Sequence, residues 1–304
     1  GFRRNQTPLI HCNDQKSLAE IRFYSRICNS IFVQNLIAVT SSNPDRVFMT
    51  GATGFIGSHI AEYFCSKGVE VECGVRSTSN ISFLKSLPLK IRFIDLNERE
   101  SLLPAMEQAG FVIHTAGVVD DWSPYAEFYE TNVVGTQNLM NACVAAGIRN
   151  VIVTGSSASY GEENSPETKN EASPDHPRYD YFLERLIPNR LNYYRVTKHM
   201  ATQEAALIAK ANNINLTILE PVWVYGEREF SSGFYEYMRA VSSRIPFFPG
   251  SSKNHFHVIY AGELARAYYQ AYVKRLRGVN RILIGNVRID LMNRIYELFC
   301  KEMG

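Results

Sequence analysis

The chain has no apolar run close to the ~20 residues needed to cross a bilayer. It has no Cys-x-x-Cys pair. Its six cysteines, Cys12, Cys28, Cys65, Cys73, Cys143 and Cys300, are scattered, which indicates neither zinc nor a disulfide framework. Charge of one sign is also missing. Lys and Arg total 32 against 30 Asp and Glu, and the net +2 gives no grip on nucleic acid or a charged membrane. No internal repeat is visible. These absences leave a reduced, cytoplasmic protein with small-molecule partners, no nucleic acid and no membrane span as the simplest reading. At 304 residues and 45% hydrophobic, the chain can bury a full core.

The stretch Val47–His59 organises the rest. An apolar run ends in Gly51, Gly54 and Gly57, and a helical pattern of Ile60, Ala61, Phe64 and Cys65 follows. Strand, glycine turn, helix is the arrangement that holds a pyrophosphate. Glycine lets the backbone come close, and the new helix offers free N–H groups and its positive end. Gly57 lets helix and strand pack tightly. The spacing is Gly-x-x-Gly-x-x-Gly, and its context of strand before and helix after gives it weight. A glycine-rich surface loop is the bland alternative.

From Arg46 onward, strand-like runs alternate with helical stretches. The runs are 69–76, 91–95, 111–117, 151–156 and 216–221; helical examples are 127–146 and 191–212. This predicts an α/β fold: a Rossmann-type doubly wound parallel sheet with helices on both faces. Residues 46–221 read mostly as the nucleotide-binding core. Residues 222–304 read mostly as a small substrate lobe over the strand tips: helices at 231–243 and 262–274, a strand at 281–286, and a last helix capped by Asp290. Residues 1–45 read as an extension, with an extra amphipathic helix from Ser17 to Val39 and a linker at Ser41–Pro44.

A dinucleotide site usually has an acid about 20 residues past the glycines, for the ribose 2′-OH. Here the second strand ends in Arg76, followed by Ser77, Thr78 and Ser79. A guanidinium suits a 2′-phosphate, so NADP(H) is preferred over NAD(H). A plain surface arginine is the alternative. Asp95 can accept from an adenine amino group or cap a helix. His114 lies within an apolar run and reads as structural.

Tyr194 and Lys198 are four residues apart on a predicted helix and share a face. A nearby ammonium would lower the phenol pKa and hold a cofactor ribose. Ser156 stands at the tip of the fifth strand, placed to polarise a carbonyl. This order of elements points to hydride transfer between nicotinamide and an oxygen-bearing carbon, with tyrosine as acid/base.

At this point the chain resembles the extended short-chain dehydrogenases/reductases, the NAD-dependent epimerase/dehydratase superfamily. The matching pieces are Thr50–Gly57, Asp95-Leu96, His114–Gly117, Asn132-x-x-Gly135-Thr136, Ser156 with Tyr160-Gly161, Tyr194-x-x-x-Lys198 and Pro221–Gly226. The look is closest to the branch of 3β-hydroxysteroid dehydrogenases and dihydroflavonol reductases. The resemblance implies catalysis by Tyr194, Lys198 and Ser156, with Ser157 as fallback. It implies cofactor contacts from Gly51, Thr53, Gly54, Phe55, Ile56, Gly57, Arg76, Asp95, Leu96, Thr115, Ala116, Gly117, Lys198, Pro221 and Val224. Val119, Trp122, Ser157 and Trp223 would face the substrate, and no metal is implied. Aromatic walls suit an apolar ring substrate, steroid- or flavonoid-like. A nucleotide-sugar epimerase or dehydratase is the second reading, with Arg228, Arg239, Arg244 and Arg266 as candidate partners for a pyrophosphate. A non-catalytic NADP-binding sensor is the third. A homodimer through the Glu127 and Leu191 helices is also implied. Residues 162–192 are long and rich in Pro, Glu and Asn, as a lid would be.

Overall fold

The computed structural model describes residues 46–120, 123–161, 167–179, 191–230, 234–235 and 254–303. The extension 1–45 with its expected helix, and nearly all of the expected 231–243 helix, lie outside them.

Seven parallel strands form one sheet: β1 Val47–Thr50, β2 Val71–Val75, β3 Lys90–Phe93, β4 Phe111–His114, β5 Asn150–Thr154, β6 Asn215–Pro221 and β10 Val279–Ile284, in the order β10-β6-β5-β4-β1-β2-β3. The chain winds out one way from β1 and the other way from β4. The order reverses between these two strands, and ligands of open α/β sheets sit at such a switch point. Pairing sets Thr50 beside both Gly74 and His114, so the strand tips stand level there.

Both faces are covered. On one, Met49, Val71 and Ile113 pack with Phe64 of α1 (Phe55–Ser66) and Leu264 and Tyr268 of α5 (Ala261–Lys274). On the other, Phe48, Val112 and Val151 pack with Leu139 and Ala205. These last two belong to α3, which runs through Tyr125–Phe128, a π segment Tyr129–Val134 and Gly135–Ala145, and to α4, Leu191–Ala211. Successive residues of β1 therefore go to opposite layers, and the strand has to be apolar throughout.

Three late elements differ from expectation. The strand expected at 281–286 is β10, the edge of the central sheet, paired with β6. The helix near 262–274 is α5, packed on α1 over the sheet face rather than over the strand tips. Both belong to the core, although they lie beyond Pro221. Asp290 does not cap the last helix α6 (Met292–Met303). It pairs as a strand with Phe256 and forms an ion pair with Arg288 at 2.7 Å. A short helix, α2 (Arg99–Met106), fills the β3–β4 crossover. Above the tips, β7 (Trp223–Tyr225) pairs with β9 (Val258–Tyr260), and β8 (His255–Phe256) with β11 (Asp290–Leu291). No helix among the described residues is long and apolar enough to cross a membrane.

Candidate active site

The glycine turn closes where β1 meets β4. Gly51 has φ +78°, and a Cβ there would lie 2.4 Å from the Ala116 nitrogen. A Cβ on Gly57 would lie 2.1 Å from the Gly51 carbonyl oxygen and 2.9 Å from Thr115 Oγ1. Thr115 Oγ1 itself donates to the Thr50 carbonyl at 2.8 Å. Gly54 differs: its only close neighbour would be the Gly51 oxygen, at 3.3 Å. The first helical bond runs from Ser58 N–H to the Gly54 carbonyl. The N–H groups of Phe55, Ile56 and Gly57 therefore precede the helical ladder and need an outside acceptor. A cradle shaped by absent side chains and lined with free donors fits a dinucleotide pyrophosphate. Thr53, which is exposed, sits in the turn itself.

Ser156, Tyr194 and Lys198 come together at the tip of β5. Ser156 caps the 3-10 turn Ser157–Tyr160, and its Oγ accepts from Ala158 N–H at 3.2 Å. The same side chain stands beside the Tyr194 phenol. One turn along α4, Lys198 is buried and donates from Nζ to the Thr154 carbonyl at 2.6 Å. A Cβ on Gly117 would lie 3.8 Å from that Nζ, so Lys198 also stands over the tip of β4.

The electrostatics correct one expectation. Burial pushes the Tyr194 phenol up from its ordinary value, and the neighbouring Ser156 hydroxyl offsets this only in part. Burial also brings Lys198 down to about 8. Proximity to Lys198 is expected from the spacing to favour a phenolate, but desolvation is the larger effect. Tyr194 thus stands protonated at neutral pH.

Spacing alone did not reveal the residues that hold this arrangement. Asn132 lies in the π segment of α3, an irregularity that often marks function. Its Oδ1 accepts from Val118 N–H at 2.8 Å, and its Nδ2 donates to Thr197 Oγ1 at 3.1 Å. Thr154 Oγ1 donates to the His114 carbonyl at 3.0 Å, so the Tyr268 hydroxyl must be the donor in their 2.6 Å contact. Asn132 was visible only as part of a motif, and Tyr268 only as one side of a helix.

His114 is structural, as its setting in the sequence implied. It is 2% exposed, between Thr50 Oγ1 at 2.7 Å and Thr136 Oγ1 at 2.9 Å. Thr136 gives its proton to the Asn132 carbonyl, so His114 donates from Nε2 and accepts at Nδ1. Burial lowers its pKa to about 3. Between pH 6.5 and about 3 the unfolded chain binds this proton and the folded chain does not. Stability is therefore fully present above pH 6.5 and is lost as pH falls through that window, on the order of 4 kcal/mol over its whole width. Urea unfolding at pH 7 and pH 4.5 should show the loss, and His114→Asn should flatten it.

Two of the residues expected to meet the adenosine, Arg76 and Asp95, are exposed. Arg76 is exposed just past β2 and makes no ion pair among the described residues. Asp95 is exposed and is not a helix cap, since α2 starts after Glu98. Its Oδ1 accepts from Asn97 N–H at 2.9 Å in a local turn. The Leu96 side chain packs over Gly135, whose Cβ would lie 3.2 Å away. Pro221 ends β6, and the Val224 side chain points into the core, so only its backbone is available to a ligand.

On the substrate side, Val119 is 59% exposed and Trp223 46%. Trp223 packs against Phe256 with ring centroids 4.9 Å apart, and Ser157 is half-buried beside Ser156. Tyr225 and Phe234 are core instead. Trp122, Arg239 and Arg244 lie outside the described residues. Arg228 and Arg266 are already paired, with Glu62 at 2.8 Å and Glu263 at 2.6 Å. Residues 167–179, the described part of the expected lid, are tied down: His176 N–H donates to the Ser159 carbonyl, and Asn192 bridges Tyr179 in both directions. No cluster of His, Cys, Asp and Glu among the described residues could hold a metal.

Known proteins match this architecture. The sequence profile of the NAD dependent epimerase/dehydratase family matches residues 47–285. The putative dihydroflavonol 4-reductase of Synechocystis sp. is 30% identical over 178 residues, 58% of this chain and 48% of that protein. The 3 beta-hydroxysteroid dehydrogenase/Delta 5-->4-isomerase of vaccinia virus (strain Copenhagen) is 29% identical over 204 residues, 62% of this chain and 55% of that one. The chain spans about half the length of these curated relatives. The solved structure of MoeE5 in complex with UDP-glucose and NAD is similar with a TM-score of 0.71 at 25% identity, covering 84% of this chain and 81% of its own. The chain belongs to the NAD dependent epimerase/dehydratase family, the extended short-chain dehydrogenases/reductases.

Proposed function

We propose that this protein is an NADP(H)-preferring oxidoreductase acting on the carbonyl or alcohol carbon of a small apolar ring substrate. The observation that carries the reading is the meeting of Ser156 and Tyr194 at the tip of β5, with Lys198 one helical turn away and held by the Thr154 carbonyl. When bound, the nicotinamide supplies or accepts the hydride. Ser156 and Tyr194 both offer hydroxyls to one substrate oxygen. Tyr194, held protonated by burial, gives its proton as that oxygen gains charge. Ser156 orients the oxygen and shares the charge. Lys198, fixed by the Thr154 carbonyl, keeps a positive charge beside the cofactor ribose and stabilises the phenolate left once the proton is given. Phe55, Ile56 and Gly57 would hold the pyrophosphate by their N–H groups, and Thr115, Ala116 and Gly117 would flank it.

The absence of an acid after β2, with Arg76 in no ion pair among the described residues, supports NADP(H). MoeE5 was solved with NAD, so cofactor choice is a direct test. Arg76→Asp should weaken NADPH binding roughly tenfold to a hundredfold, the range of one charge-assisted contact, with little change for NADH. Fluorescence titration of both cofactors measures it, and an unchanged preference removes Arg76 from the site.

The relatives named dihydroflavonol reductase and hydroxysteroid dehydrogenase, together with exposed Trp223 and Val119, support an apolar ring substrate. The MoeE5 complex with UDP-glucose favours a nucleotide sugar instead. Against it, Arg228 and Arg266 are already engaged by carboxylates. Assaying ketosteroids, flavanonols and UDP-sugars for NADPH oxidation or epimerisation separates the two. A homodimer through α3 and α4 belongs to the same reading.

A further inference from the structure

We propose that Arg281, on the edge strand β10, is a positioning residue for Ser156. The proposal rests on the role given to Ser156 and Tyr194 above.

The Arg281 guanidinium holds Asp175 bidentately, at 3.0 and 2.9 Å, and Glu220 at 2.9 Å. It also lies over the Tyr160 ring, 4.9 Å from the centroid. The Tyr160 hydroxyl donates to the other oxygen of Glu220 at 2.7 Å. Glu220 is fully buried and has no water to fall back on. Asp175 faces His199 as well, at 4.0 Å. Three groups, from β6, the serine turn and the 167–179 segment, thus share the one guanidinium of β10.

This cluster grips the backbone on both sides of Ser156. Tyr160 closes the 3-10 turn that Ser156 opens. On the other side, a Cβ on Gly155 would lie 2.7 Å from Glu220 Cγ, so the glutamate stem rests on the residue just before the serine. The 167–179 segment adds a third hold. His176 N–H donates to the Ser159 carbonyl at 2.9 Å, and Glu171 accepts from Leu283 N–H at 3.0 Å on the same edge strand. If the guanidinium loses its fork, Glu220 and Asp175 repel, the turn rotates, and Ser156 Oγ moves relative to the phenol.

Arg281→Lys keeps the charge but not the fork. Tyr160→Phe removes the hydroxyl but keeps the ring. Both should lower kcat on the best-reduced ketone by on the order of tenfold to a hundredfold, the effect of a sub-ångström to ångström misplacement, with NADPH affinity within about twofold of wild type. Arg281→Lys should be the milder of Arg281→Lys and Arg281→Met. Hydrogen exchange should rise at the Ser159 and His176 amides and stay unchanged across 51–58. Unaltered kcat and unaltered exchange overturn the proposal, as does a parallel fall in NADPH affinity, which would make the cluster a general support. Should Arg281→Lys fail to fold, Tyr160→Phe decides. If Tyr194→Phe keeps full activity, the catalytic reading has failed, and the exchange data still judge the clamp.

Discussion

Tyr194→Phe should cut kcat by on the order of 10³-fold, while NADPH affinity and the urea midpoint stay near wild type. The ring remains, so α4 keeps its packing; only the hydroxyl beside Ser156 is lost. General acid catalysis contributes about 10²–10⁴-fold, and this phenol is the only group that the reading assigns to proton transfer. Its pH dependence should differ from that of a base-catalysed site. Burial raises the phenol, so reduction should hold steady across neutral pH and fail only on the alkaline side. Lys198, brought down to about 8, loses its charge first there, so the alkaline fall should begin near that value. Stopped-flow NADPH oxidation between pH 6 and 10 for both proteins checks this.

Gly57→Ala should weaken cofactor binding about a hundredfold or more and weaken the fold. Its Cβ would stand 2.1 Å from the Gly51 carbonyl oxygen and 2.7 Å from the Gly51 carbonyl carbon. Those atoms are backbone and cannot swing aside as a side chain could. The turn must open, at roughly 1–3 kcal/mol of strain. The N–H groups of Phe55 and Ile56 then lose their aim. Two charge-assisted hydrogen bonds at ~1.5 kcal/mol each give a loss of about a hundredfold or more in NADPH affinity. Gly68→Ala is the control. Gly68 has φ +73° but nothing within 4 Å of its added Cβ. It should cost some stability and leave binding untouched. Isothermal titration and thermal melts of both variants separate backbone strain from lost donors.

What the sequence revealed was local. The glycine turn, the serine four residues before Tyr160 and the Tyr194–Lys198 spacing are all short-range patterns, and each falls at the tip of β1 or β5 or on α4. The parallel sheet was legible because buried strands are apolar runs, as in Val47–Met49 of β1 and Phe111–Ile113 of β4. Burial was not legible. Spacing brings Lys198 near Tyr194, but only the fold shows that its ammonium is spent on the Thr154 carbonyl and that desolvation dominates the phenol. Asp290 carried a capping signal that lost to pairing with Phe256. Asp95 bonded to its own loop instead of to a helix end. The Arg281 cluster joins residues 60 to 121 positions apart, which no window could connect. The Tyr268–Thr154 contact is hidden for the same reason.

The central claim is that the phenol and serine at the β5 tip act on the carbon that the cofactor reduces. Reduction with NADPH deuterated at nicotinamide C4 tests it, using the ketone the chain turns over fastest. The account predicts that deuterium appears on the carbinol carbon of the product in wild type, and that the same labelled product forms about a thousandfold more slowly with Tyr194→Phe. Label transferred equally fast by the two proteins would contradict it.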